Sequence, residues 1–286
     1  MRHASPFLGF ILCAASAFNA SAQNNPFTIS SSSSVTVPAV PVATVGSLFK
    51  PPVGYTRTPV AAGSFGAYLR PLPLKPVGAQ VHLFDGRLKN NQSVHAAVID
   101  MSVGATDLQQ CADAVMRLHA EFLFTADRKD EIAFNFTNGF KAPFSRWMKG
   151  ERIRVQGNNC SWAHSGKIGA AHDDLMDYLQ VVFTYAGTAS LSKELLECAN
   201  TPVRTGDVFI QGGHPGHAMI VVDVADNTTT GEQLFLLAQS YMPAQEIHVV
   251  KNPNDAALSP WFKLNEGSEL VTPEWTFRWD QRKRWP

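Results

Sequence analysis

The stretch Gly206-Asp207-Val208-Phe209-Ile210, followed across a glycine-rich loop by Gly216-His217-Ala218-Met219-Ile220-Val221-Val222, decides how this chain folds. A Gly-Asp turn opens one apolar strand, Asp207–Gln211, and a histidine opens the next, Ala218–Val224, which is dense in β-branched residues. Asp226–Gly231 then reads as a polar turn and Leu234–Ser240 as a further apolar strand, so this half of the chain is an antiparallel meander. If the last two strands form a hairpin, His217 falls beside Gln239. A side-chain amide there holds one ring nitrogen and leaves the other free.

Upstream, the pattern changes from alternation to helical steps. Leu108, Ala112, Val115, His119 and Phe122 recur at three- and four-residue intervals, which predicts a helix with one buried face. Either Thr106 with Gln109 or Asp107 with Gln110 supplies a capping box for it, which places Cys111 four or five positions inside, on the apolar side. A second helix is expected from Asp173 to Ala186, stopped by Gly187, and a shorter one over Leu191–Cys198. Val94–Met101 reads as a strand before the helices, and Trp275, Phe277 and Trp279 alternate with polar residues as a final half-buried strand. Helices followed by a meander predict an α+β fold, with helices packed on one face of an antiparallel sheet.

Met1–Ala22 has a short positive start, an apolar run at Phe7–Ala17 too brief to span a bilayer, and a small-x-small site at Ala20-Ser21-Ala22. These are the parts of a cleaved signal peptide, so the expected location is the periplasm or outside the cell. Residues 23–47, rich in Ser, Val and Pro, read as a tether, and residues 48–286 as a single domain. No later run reaches the roughly 18 apolar residues of a membrane helix. Net charge is zero and charged residues are 17% of the chain, so no basic field exists to hold nucleic acid. Beyond the leader the cysteines are Cys111, Cys160 and Cys198, which leaves three possible bridges in an oxidising compartment, each with one thiol over.

Few other residues suggest chemistry. His214 and His217 form His-x-x-His, but no third ligand has motif spacing and Pro215-Gly216 argues for a loop, so neither a metal nor another cofactor is expected. Asp113 and Arg117, four apart, read as an exposed ion pair, and Asp207 as a turn former. By strand alternation Asp223 shares the face of His217 but lies too far along to touch it. Trp147 is a candidate groove residue, as are the four tryptophans after residue 260, though core packing is the simpler account of them.

The Gly-Asp turn, the strand and the histidine leading another strand resemble papain-like cysteine hydrolases, especially the bacterial cell-wall peptidase and amidase branches. That resemblance implies Cys111 as nucleophile, His217 as its base and Gln239 as the group orienting the ring. Gln109 or Gln110 would bind the oxyanion, with Trp147 and Ser240 along the groove. The implied substrate is an amide bond, in peptidoglycan stem peptides or a similar peptide ligand. The chain as a whole resembles the exported bacterial family called domain of unknown function 4846, from about Phe65 to Trp279. The resemblance is carried by Ser64-Phe65-Gly66-Ala67-Tyr68-Leu69-Arg70, by the run from Asp107-Leu108-Gln109-Gln110-Cys111 to Arg117-Leu118, by Gly206–Ile210 and Gly216-His217-Ala218, and by Ala238-Gln239-Ser240-Tyr241-Met242-Pro243-Ala244-Gln245. Two other expectations compete: a non-catalytic binding module of the same fold, and an envelope protein in which Cys111 is packed or disulfide-bonded.

Overall fold

The computed structural model describes residues 42–263, 265 and 267–286; the expected leader, and residues 23–41 of the expected tether, lie outside them. The fold is α+β, built on one large antiparallel sheet. Its strands are β1 (Thr56–Arg57), β2 (His95–Val98), β3 (Leu196–Glu197), β4 (Val208–Gln211), β5 (His217–Asp226), β6 (Gln233–Gln239), β7 (His248–Val250), β8 (Phe262–Lys263) and β9 (Arg282–Arg284). They lie in the order β2-β7-β6-β5-β4-β9-β3, with β1 added to the far end of β5 and β8 to that of β6.

The expected meander is therefore β4–β5–β6. The pairing Gln211↔His217 begins β5, and Gln233↔Asp226 through Ala238↔Ile220 joins it to β6. Alternation divides the apolar side chains between two cores. Ala218, Ile220 and Val222 pack with the helices, while Met219 and Val221 pack on the opposite face with Phe209, Phe235, Leu237 and Phe277. A bulge interrupts β5, since Leu236 opposes Asp223 but Leu237 opposes Val221, leaving Val222 as the extra residue. Beyond it the alternation is reset, and Val224 joins Val221 on the second face. Asp223 is thereby turned off the face of His217, contrary to the expectation from simple alternation. It is fully buried and accepts Arg57 Nε at 2.6 Å and Arg70 Nε at 2.7 Å.

The three longest helices are α1 (Cys111–Thr125), α2 (His172–Tyr185) and α3 (Thr188–Glu194). Several boundaries differ from the sequence reading. The helix α1 starts at Cys111, because Asp107 Oδ1 accepts from Ala244 N at 2.7 Å and Ser240 Oγ donates to Gln109 O at 2.9 Å, which holds the preceding residues against the sheet. Capping comes instead from Asp113, whose carboxylate accepts Gln110 N at 3.0 Å. The third helix ends at Glu194, and Leu196–Glu197 is drawn into the sheet by Lys283 and Arg284. The folded part also reaches back into the tether, where Thr44 caps the single turn Val45–Leu48 and Val45 is buried.

Asp113 and Arg117 are buried rather than exposed, and they do not pair. Arg117 Nε donates to Glu121 at 2.7 Å and Nη1 to Gln109 Oε1 at 3.1 Å. Asp207 also does more than make a turn. It is buried between Arg282 and Arg284, the latter 2.6 Å away, so β9 is fastened to the start of β4. Cys111, Cys160 and Cys198 are all free thiols, and none of the three possible bridges forms. Among the described residues no helix is long and apolar enough to cross a membrane.

Removing one partner of a buried ion cluster leaves the others desolvated and unpaired. Asp207→Ala is expected to lower unfolding free energy by about 3–5 kcal/mol, read as a drop in the urea midpoint at constant m-value.

Candidate functional site

The residues picked out by the sequence gather at one end of the sheet, where β5 begins and β6 ends. His217 is the first residue of β5 and Gln239 the last of β6. Their side chains share the face opposite the helices, and His217 Nε2 lies 2.8 Å from Gln239 Oε1. The ring is 1% exposed, covered by Tyr241 with centroids 4.8 Å apart, Trp275 at 5.2 Å and Phe277 at 5.9 Å. Trp275 and Phe277 come from the C-terminal hairpin Glu269–Val271 with Thr276–Arg278, which roofs this face. Among the described residues His217 Nδ1 makes no hydrogen bond.

Cys111 approaches the same strand end from the helix side. As the first residue of α1 it is half-buried, and the backbone N–H groups of Ala218, Ala112 and Cys111 itself draw on its sulfur. Ala218 directly follows His217. These amides work against two larger effects, burial and then the charge of Asp113, which together push the thiol up to about 11. Burial alone dominates at His217 and lowers its pKa to about 4, despite the opposing bond from Gln239. At neutral pH both are uncharged, and among the described residues no hydrogen bond joins sulfur to ring.

The other expected site residues have separate surroundings. Gln110 Nε2 is engaged by Asp107 Oδ1 at 3.1 Å, whereas Gln109 Nε2 is buried with no hydrogen-bond partner. Of the two, Gln109 has the unspent donor. Ser240 Oγ bridges Gln109 O and Gln245 O, at 2.9 and 2.8 Å, and so ties the end of β6 to the approach to Cys111. Trp147 is not brought to this end. It packs in the helical core against Tyr178, with Arg152 4.0 Å above its ring. His214 is exposed on the loop, and no group of three metal-ligating side chains occurs among the described residues.

Several residues of the cluster escaped the sequence reading. Gln239 Nε2 donates to Glu274 Oε2 at 2.7 Å, and Glu274 Oε1 lies 2.5 Å from the buried Lys89 Nζ. His248 is also buried, with Nδ1 2.8 Å from Glu246 O and Nε2 3.4 Å from Gln239 Nε2. Burial lowers its pKa to about 3. A cavity of about 350 Å³ opens beside the cluster, lined by Lys89, Tyr241, Met242, Gln245 and Glu274 among others. Neither Lys89 nor Glu274 carries a local sequence signal for this site, because contacts distant along the chain bring both to it.

Fold and site together define an α+β domain with a histidine–amide pair buried at the head of its central strand and a helix-leading cysteine beside it. Residues 45–284 match the family model described as Domain of unknown function (4846), and the chain belongs to that family. No curated protein and no solved structure matches it.

The depressed pKa of His217 carries a stability consequence of definite sign. Between about 4 and 6.5 the unfolded chain holds the proton that the folded ring refuses, so through this ring stability falls as pH drops across that window. The His217 ring resonances are expected to titrate in the folded protein with a midpoint near 4, with no step near 6.5. A pH series of NMR spectra checks this.

Proposed function

We propose that the protein is an exported cysteine hydrolase of papain-like arrangement, cleaving an amide bond in peptides of the cell wall. The observation that carries the reading is the meeting of Cys111, at the head of α1, with the backbone of Ala218 next to His217. Export rests on the signal-like character of residues 1–22.

In this reading the sulfur of Cys111 attacks the carbonyl carbon while its proton passes to His217 Nδ1. The tetrahedral intermediate collapses to a thioester, and the leaving amine takes the proton back from the ring. Water, deprotonated by the same nitrogen, then releases the acid and restores the thiol. Because burial keeps both groups neutral at rest, the nucleophile forms during attack rather than being stored as a thiolate. Gln239 holds the ring through Nε2, and Gln109 offers its unpaired Nε2 to the oxyanion. The reading requires ring and thiol, unbonded in this structure, to reach hydrogen-bond distance when substrate binds.

A second reading, a peptide- or glycan-binding protein without turnover, is favoured by one specific observation. The His217 ring is sealed beneath Trp275 and Phe277, on the face opposite the helix that bears Cys111.

Incubation of purified sacculi with the wild type and with Cys111→Ala separates the two. The hydrolase releases peptide fragments, and Cys111→Ala reduces release by about 10³-fold or more. Equal release by both, or none from the wild type alongside co-sedimentation with the sacculi, rejects the hydrolase; the latter supports binding.

A further inference from the structure

We infer that Glu274, clamped by Lys89, is a positioning residue that sets the proton on His217 by fixing which way the Gln239 amide faces. The inference rests on the hydrolase reading for its catalytic consequence, but the arrangement itself is a matter of hydrogen-bond donors and acceptors.

A carboxylate paired with an ammonium group only accepts hydrogen bonds. Glu274 Oε2 lies 2.7 Å from one end of the Gln239 amide, so that end must be the NH2 group. His248 favours the same choice, more weakly. Its Nδ1 is 2.8 Å from the carbonyl of Glu246 and must carry hydrogen to donate there, which leaves Nε2 bare and facing Gln239 at 3.4 Å. Both hydrogens of the amide are thus directed away from His217. The other end, a carbonyl oxygen that only accepts, lies 2.8 Å from His217 Nε2. That ring nitrogen therefore carries the hydrogen, and Nδ1 keeps a lone pair able to take a proton.

With the amide turned over, its NH2 would face Nε2, the ring would carry hydrogen on Nδ1, and the base would be blocked at the nitrogen it needs. Lys89 holds the system in place from the far side. Its ammonium is buried, lies 2.5 Å from Glu274 Oε1 and sits 5.5 Å above the Tyr241 ring that covers His217. Four elements distant in sequence thus act on one ring proton: the loop at Lys89, the ends of β6 and β7, and the turn of the C-terminal hairpin.

The experiment records long-range proton–nitrogen NMR spectra of histidine-labelled full-length protein. In the wild type, hydrogen is expected on Nε2 of His217 and on Nδ1 of His248. Glu274→Leu, which removes the acceptor, is expected to turn His217 into a mixture of tautomers. Glu274→Gln, which can still present a carbonyl to Gln239, is expected to restore the wild-type pattern. Hydrogen on Nδ1 of His217 in the wild type overturns the inference, as does an unchanged tautomer in a folded Glu274→Leu. If Glu274→Leu fails to fold, loss of the Nε2–H form in Glu274→Gln overturns it, and its retention with an ordinary spectrum supports it. In turnover of cell-wall peptides, Glu274→Leu is expected to lower kcat by about 10²-fold or more with KM little changed. Absence of turnover in the wild type defeats the hydrolase reading alone, because the tautomer pattern is read without substrate.

Discussion

The pairing of β5 with β6, interrupted by one extra residue at Val222, is the constraint on which the rest of the molecule depends. Before the bulge, alternation puts His217 on the same face as Met219 and Val221, and the partner strand puts Gln239 beside it. After the bulge, the same strand has changed sides, and Asp223 faces Arg57 and Arg70 instead. That irregularity gives the segments before α1 a buried anion to fasten on. Burial, not the amide, keeps the ring neutral, since the bond from Gln239 opposes the shift.

The two faces of the sheet are covered by different means. Helices cover one, with a core that extends through Leu118, Leu175 and Leu179 to Phe134 and Phe144. The other is covered by the segment after β7, including a short hairpin that brings Leu270, Trp275 and Phe277 over Phe209 and Phe235. Burial on that side creates the chemistry of the site. It strips water from His217, Gln239 and His248, and the full charges beside them, Lys89 and Glu274, are paired. In such surroundings a hydrogen bond is stronger and an unmet one costs more, so the cluster has little freedom to rearrange piecemeal.

Much of this arrangement was legible in the chain itself. The meander and the juxtaposition of His217 with Gln239 follow from local signals: a β-branched run, a polar turn and strand alternation. What was not legible came from long-range contacts. The periodicity from Leu108 continues smoothly through Cys111, and nothing local says that the helix begins only there. The start is set by Ser240 and by Ala244, more than a hundred residues away, which hold Gln109 and Asp107. Asp113 and Arg117 read as a wet face because amphipathic reasoning assumes solvent on one side, and α1 has packed elements on both. Glu274 alternates with aromatic residues and so reads as outward. It is in fact on the turn of a hairpin folded down upon the sheet, where outward from the hairpin means inward to the domain.

The placement of β9 carries a consequence for how the molecule is assembled. The strand Arg282–Arg284 is inserted between β4 and β3, two strands synthesised before it. Until it arrives, β4 presents an open edge, Leu196–Glu197 has no neighbour to join, and Asp207 lacks both of its arginines. A chain emerging from its N-terminal end therefore cannot finish the sheet as it goes; the closing stitch is made by the strand that comes last in sequence. Such a topology keeps the nascent polypeptide from locking into its final form early.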